Sequence, residues 1–211
     1  MLFLLLYISV FIISTFVVKV AHKYIRGGMI ARVIRIIIIN LPFLSIFMFT
    51  NLPSIELKVS LDFLTLSIIA AIIMIIFEIP KIYYSNKKIM LKLSYDVKLK
   101  NLFSRFSEVT LVPITEELFY RGVLSFSLLN VKAQLLMIVS VILFNIAHFV
   151  GRGVKNPIYY LKLTLFSIIA IFIYLKTKNI IYPVIFHILY NIPYFITEMR
   201  IYLYKRRFQN E

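Results

Sequence analysis

Leu2 to Val18 runs for seventeen residues without a charge. Apolar segments of this kind recur along the whole chain, at Leu2–Val18, Ile34–Phe49, Leu61–Phe77, Val109–Leu129, Val131–Val150, Ile158–Leu175 and Ile180–Met199. Each is near the roughly 17–25 residues that cross a bilayer as a helix. The pattern predicts an all-α fold: a polytopic membrane helical bundle of about seven transmembrane helices. Breakers fall between the spans, at Gly27-Gly28, Pro53, Pro80, Gly151 and Gly153. Pro113, Pro183 and Pro193 lie within spans or at their ends, where neighbouring helices can satisfy the freed carbonyl. The first run has no basic leader and no small-residue cleavage site, so it reads as a retained helix and not as a signal peptide.

Composition sharpens this reading. The chain is 61% hydrophobic and has no cysteine, which excludes disulfides, a cysteine nucleophile, thiolate metal sites and lipidation through Cys. A net charge of +15 raises nucleic acid as a partner, but the placement of the charges argues for topology. Lys19, Lys23, Arg26, Arg32 and Arg35 fall on one side, with the cations of the Lys81–Arg105 stretch, then Arg152, Lys155 and Lys162, and the tail Arg200, Lys205, Arg206 and Arg207. The other side keeps Lys58, Lys132, Lys176 and Lys178. Positive charge concentrates on the cytoplasmic side of membrane proteins, so the N-terminus is expected outside and the C-terminus inside. The expected partners are membrane lipids, including anionic head groups, and no nucleic acid. The segment Lys81–Lys100 reads as an amphipathic surface helix. Tyr83, Tyr84, Tyr159, Tyr160 and Tyr182 read as an interfacial aromatic belt.

Against this background "TEELFYRG", Thr115 to Gly122, stands out. Glu116, Glu117 and Arg121 sit inside an apolar span, where each charge costs about 2.5–3.5 kcal/mol on insertion scales. Glu117 and Arg121 are spaced i, i+4 and can pair, while Glu116 points about 100° away. A buried Glu–Arg pair that only locks two helices is the plainer reading. The chain has three histidines. His22 lies in a basic loop; His148 and His187 lie in two separate spans. Asn145, His148, His187 and Asn191 can form a polar patch at helical spacing, with Phe144 one turn before His148 to brace its ring. A packing role for each His and a helix-bridging role for Asn145 are the alternatives. The H-E-x-x-H of zincins and the G-x-S-x-G of serine hydrolases are absent, and the two aspartates, Asp62 and Asp96, lie near span edges. Glu, His, His and Asn remain.

"EELFYR", "FNIAH" and "HILYN" fit E-E-x-x-x-R, F-x-x-x-H and H-x-x-x-N/D, in that order and on successive apolar segments. Together they resemble the CPBP family: type II CAAX prenyl endopeptidases and bacteriocin-processing or immunity proteins, also called the Abi family. The likeness spans Phe106 to Phe195. It implies intramembrane hydrolysis of a membrane-associated peptide or protein. Glu116 would activate the attacking water with help from His148. His187 and Asn191 would stabilise the oxyanion, with Glu117, Arg121 and Phe144 in support. It also brings zinc into consideration, held by Glu116, His148 and His187 with one position open, beside a metal-free route in which glutamate activates water. On this reading residues 1–105 form N-terminal helices and a basic cytoplasmic segment, 106–199 the catalytic core, and 200–211 a basic tail. The expected setting is a bacterial cell membrane, with a role in bacteriocin immunity or peptide processing. A non-catalytic immunity or adaptor protein of the same fold is the alternative reading. A proton-coupled carrier is less favoured, since no internal repeat is visible.

Overall fold

The computed structural model describes residues 2–25, 29–46, 59–95, 97–127, 132–152 and 156–208. Outside the described residues lie the breakers Gly27, Gly28, Pro53 and Gly153, the charged Arg26, Lys58, Asp96 and Lys155, and the side chains of His22, Arg32 and Arg152.

Every described element is helical: α1 (Leu2–Tyr24), α2 (Met29–Ser45), α3 (Leu61–Ile76), α4 (Ile79–Ser85), α5 (Lys88–Leu93), α6 (Leu99–Glu117), a π-helical stretch (Leu118–Val123), α7 (Leu124–Ser127), α8 (Ala133–Arg152), α9 (Pro157–Thr177) and α10 (Ile181–Phe208). Local sequence sets several of the ends. Asn156 caps α9 by accepting from Ile158 N, with Pro157 in the first turn. Lys178 closes α9 in the left-handed conformation, and Asn179 Oδ1 then accepts from Ile181 N to start α10. Pro80 follows the 64° bend between α3 and α4.

The bundle exposes apolar side chains and buries polar ones within its aromatic core. The outward faces of α1, α3, α8 and α9 carry Ile12, Phe16, Ile69, Ile72, Ile138, Phe149, Leu161 and Phe172, all exposed. Ser14, Thr15, Asn40, Ser67, Ser140, Ser167, Glu117 and Arg121 are buried. Water would drive the reverse arrangement, whereas lipid rewards it, so this is a helical membrane bundle. Three helices are long and apolar enough to cross a membrane, within Leu4–Ala21, Ala133–Gly151 and Pro157–Thr177, and the bent α3–α4 pair makes a fourth if it counts as one span. The other expected spans differ for physical reasons. The apolar part of α2, Val33–Ser45, is short. The segments α6 and α10 are diluted by the charged and polar residues of the site itself, and α10 continues past Met199 to Phe208. The Lys81–Lys100 stretch is not one surface helix but α4, a break and α5, because Asn86 turns the chain and donates from Nδ2 to Ile82 O (2.7 Å). Tyr182 is buried within the bundle, where its hydroxyl accepts from Ser60 N (2.6 Å).

The helices meet through polar bridges and aromatic rings. Asn145 accepts from Thr164 (3.1 Å), tying α8 to α9. Ser140 donates to the carbonyl of Tyr120 (3.0 Å), tying α8 to the π stretch. Thr115 donates to Asn40, tying α6 to α2. Such intramembrane hydrogen bonds average about 0.6 kcal/mol each, so shape complementarity contributes more. Tyr7 stacks on Phe119 at 4.5 Å and Phe166 on Phe186 at 4.8 Å, in a core that also holds Phe43, Tyr120 and Phe144. Where α1 meets α8, a Cβ added to Gly151 would stand 2.7 Å from Val18 Cγ1, so only glycine permits that approach.

Candidate active site

Glu116 and Glu117 end α6, where its hydrogen-bond ladder widens into the π stretch. Segments of this kind are rare and recur at functional sites. Here the π stretch carries Arg121, wholly buried. Its Nε lies 3.2 Å from Glu117 Oε2, as the i, i+4 spacing anticipates, in an ion pair without hydrogen-bond alignment. Arg121 Nη2 donates to Ser167 on α9 (3.1 Å), and its guanidinium lies 4.5 Å from the centre of the Phe144 ring. Phe144 therefore braces the arginine as well as His148, whose ring is 4.4 Å away.

The other oxygen of Glu117 does something the sequence did not disclose. Oε1 accepts from Nδ1 of His187 on α10 at 2.7 Å. A carboxylate can only accept here, so Nδ1 carries the proton and Nε2 is turned the other way. Nε2 lies 3.9 Å from Glu116 Oε2. His148 shows the same logic: its Nδ1 is 3.0 Å from the carbonyl of Phe144, which can only accept, so the neutral ring presents Nε2 as a proton acceptor. Phe166 packs edge-on to His187 at 4.6 Å and fixes the plane of the ring.

These side chains converge on one cavity of about 840 Å³. Glu116, Phe144, His148, His187 and Asn191 all line it, contributed by α6, α8 and α10. Glu117 and Arg121 lie behind its wall, fully buried. Asn145 is engaged with α9 instead. Several residues that sequence reasoning passed over also line the cavity: Glu78, Lys81, Arg105, Glu108, Lys162 and Tyr190. Glu78 accepts from Lys162 (2.8 Å) and from Tyr190 (3.4 Å). Arg105 donates to Glu108 (2.9 Å) and, through two nitrogens, to Glu198 on α10 (2.9 and 2.7 Å), while Arg35 on α2 reaches Glu108 at 3.4 Å. The available signal was scarcity. The chain has nine acidic residues against twenty-four basic ones, so a carboxylate beside an apolar run is informative in itself.

Zinc would require three protein donors at about 2.0–2.2 Å around an open fourth position. Among the described residues no three of His, Asp and Glu are grouped in that way. The donors as placed do not make a zinc site.

Residues 99–193 match the family described as type II CAAX prenyl endopeptidase Rce1-like. This stretch of the chain is similar to an Rce1-like core. This core begins at the first residue of α6, runs through the π stretch, α7, α8 and α9, and stops at Pro193 within α10. It contains Glu116, Glu117, Arg121, Phe144, His148, His187 and Asn191, and it covers just under half of the chain. The Rce1-like match supports a CAAX-type protease in a membrane. No curated protein and no solved structure matches the chain.

Proposed function

We propose that the protein is an intramembrane endopeptidase in which Glu116 activates water. The observation that carries this is the convergence of Glu116 and two histidines, each presenting Nε2, on one cavity inside an Rce1-like core. Water in the cavity gives its proton to Glu116, with Nε2 of His148 as the second acceptor. The resulting hydroxide adds to the carbonyl carbon of the scissile peptide bond. Negative charge collects on the carbonyl oxygen, where Asn191 Nδ2 and His187 Nε2 act as donors. Donation from His187 requires its ring to carry both protons. The proton held by Glu116 then passes to the amide nitrogen as the C–N bond breaks, releasing an amine and a carboxylic acid. Desolvation strengthens such fixed donors. Glu117 acts as a positioning residue, accepting from Nδ1 of His187 and holding the ring from behind.

The proposed substrate is a membrane-associated peptide or small membrane protein, with bacteriocin immunity or peptide processing as the setting. The proposed topology has seven spans, the N-terminus outside and the C-terminus in the cytoplasm, with anionic lipid head groups beside the basic segments. Arg35, Lys81, Arg105 and Lys162 all belong to the cytoplasmic set by charge, and all line the same cavity, so the cavity opens to the cytoplasm on this reading. The deciding experiment is peptide cleavage by the purified protein in vesicles, wild type beside Glu116→Gln. Cleavage by the wild type alone supports the mechanism, and equal cleavage by both defeats it.

A further inference from the structure

The cavity that holds Glu116 has a neighbour across its charged rim. A second cavity of about 350 Å³ lies between α4, α5, the start of α6 and the C-terminal half of α10. Lys81, Arg105 and Tyr194 line both cavities, so the two share a wall. Both volumes fall within the roughly 300–1,000 Å³ typical of ligand sites. The second cavity combines apolar Met90, Leu93 and Ile201 with the hydroxyl-bearing Ser85, Ser94 and Thr197. That mixture suits an extended peptide, whose side chains are apolar and whose backbone needs polar partners.

The cations at this junction are not equivalent. Arg105 is held by Glu108 and Glu198, Arg35 by Glu108, and Lys162 by Glu78. Among the described residues lining the two cavities, Lys81 is the one cation without a carboxylate partner; its ammonium lies 4.9 Å from the centre of the Tyr194 ring. A cation–π contact at an exposed position contributes only about 0.5–1 kcal/mol, so an arriving carboxylate can take its place.

We propose that the two cavities form one substrate groove and that Lys81 is a specificity-determining residue, binding a carboxylate on the peptide segment that leads away from the bond being cut. This rests on the peptidase reading above. A lipid phosphate is also an anion, but the shared wall faces the cavity of Glu116 on one side, which favours a peptide lying along both volumes.

The test uses the full-length protein in phosphatidylcholine vesicles and a synthetic library of apolar peptides. One position varies among Asp, Glu, Asn, Gln, Lys and Arg, and each peptide is made with a free and an amidated C-terminus. Products are mapped by mass spectrometry. The wild type should cleave peptides with a carboxylate at one fixed distance from the cut bond roughly two- to ten-fold better than their neutral counterparts. The paired C-termini show whether that carboxylate is a side chain or the chain end. Lys81→Met should bring the ratio to about one, Lys81→Glu should turn the preference towards Lys and Arg, and Lys81→Arg should keep the wild-type preference. Cleavage by the wild type with no preference for carboxylates, or a preference unchanged in Lys81→Met, overturns the assignment and leaves the peptidase reading standing. So does a Lys81-dependent rise in rate on adding phosphatidylglycerol without any peptide preference, which would assign Lys81 to lipid. If the wild type cleaves no peptide, the peptidase reading and the groove fall together.

Discussion

Glu117 has two oxygens and two unlike partners, a guanidinium on its own helix segment and an imidazole on α10. The two adjacent glutamates should therefore separate cleanly on mutation. Glu116→Gln should abolish cleavage and leave the thermal midpoint within about 1–2 °C of wild type, because Glu116 lines the cavity and is not fully buried. Arg121→Ala should lower stability by about 3–5 kcal/mol, since it leaves buried Glu117 Oε2 without its cation and only the His187 contact on Oε1; thermal unfolding in one fixed detergent measures both variants. On the proposed metal-free mechanism, activity should survive exhaustive chelation. Loss of activity on chelation, restored by zinc, would mean that the side chains rearrange into a ligand set on binding metal. At this scale much was legible. The cost of charge in lipid singled out Glu116, Glu117 and Arg121, and i, i+4 spacing anticipated their pairing. The contact from Glu117 to His187 was not legible, because it joins residues seventy positions apart and no local rule reports which ring arrives at which oxygen.

Helices show a similar division. Apolar run length gave α1, α3, α8 and α9 nearly as found, and Pro80 marked the bend after α3. The π stretch left no trace in the sequence: Leu118–Val123 is composed like any helix, and the hydrogen bonds it makes with Ser140 and Ser167 come from distant segments. Splitting of the basic segment into α4 and α5 turned on one side chain, Asn86, that a count of lysines overlooks. The α1–α8 contact supplies a test at this scale. Gly151→Ala places a methyl group against Val18, whose branched side chain has little freedom to turn aside. It should cost about 1–3 kcal/mol of stability, seen as a lower unfolding midpoint. The double variant Gly151→Ala, Val18→Ala should recover part of that loss.

Over the whole molecule, the inside-out polarity and the uneven charge distribution make one prediction. Reporter fusions within Lys81–Lys100 and after Phe208 should both read cytoplasmic, and a reporter ahead of α1 should read external; any one signal on the opposite side breaks the seven-span arrangement. The helix α10 touches more of the bundle than any local feature would suggest. It packs on α3, α4, α5, α6 and α9. It brings His187 and Asn191 to the cavity, Glu198 to Arg105, and Lys205 to the carbonyl of Lys92 (2.8 Å). It also follows the other described helices in sequence. During synthesis the acidic pair of α6 therefore enters the membrane while its imidazole partner is still unmade. On the proposed mechanism, a nascent chain that has reached the end of α9 holds the carboxylate that would activate water and neither of the oxyanion donors. On that reading proteolytic competence arrives in a single step, when α10 inserts, and chains interrupted before that point are inert.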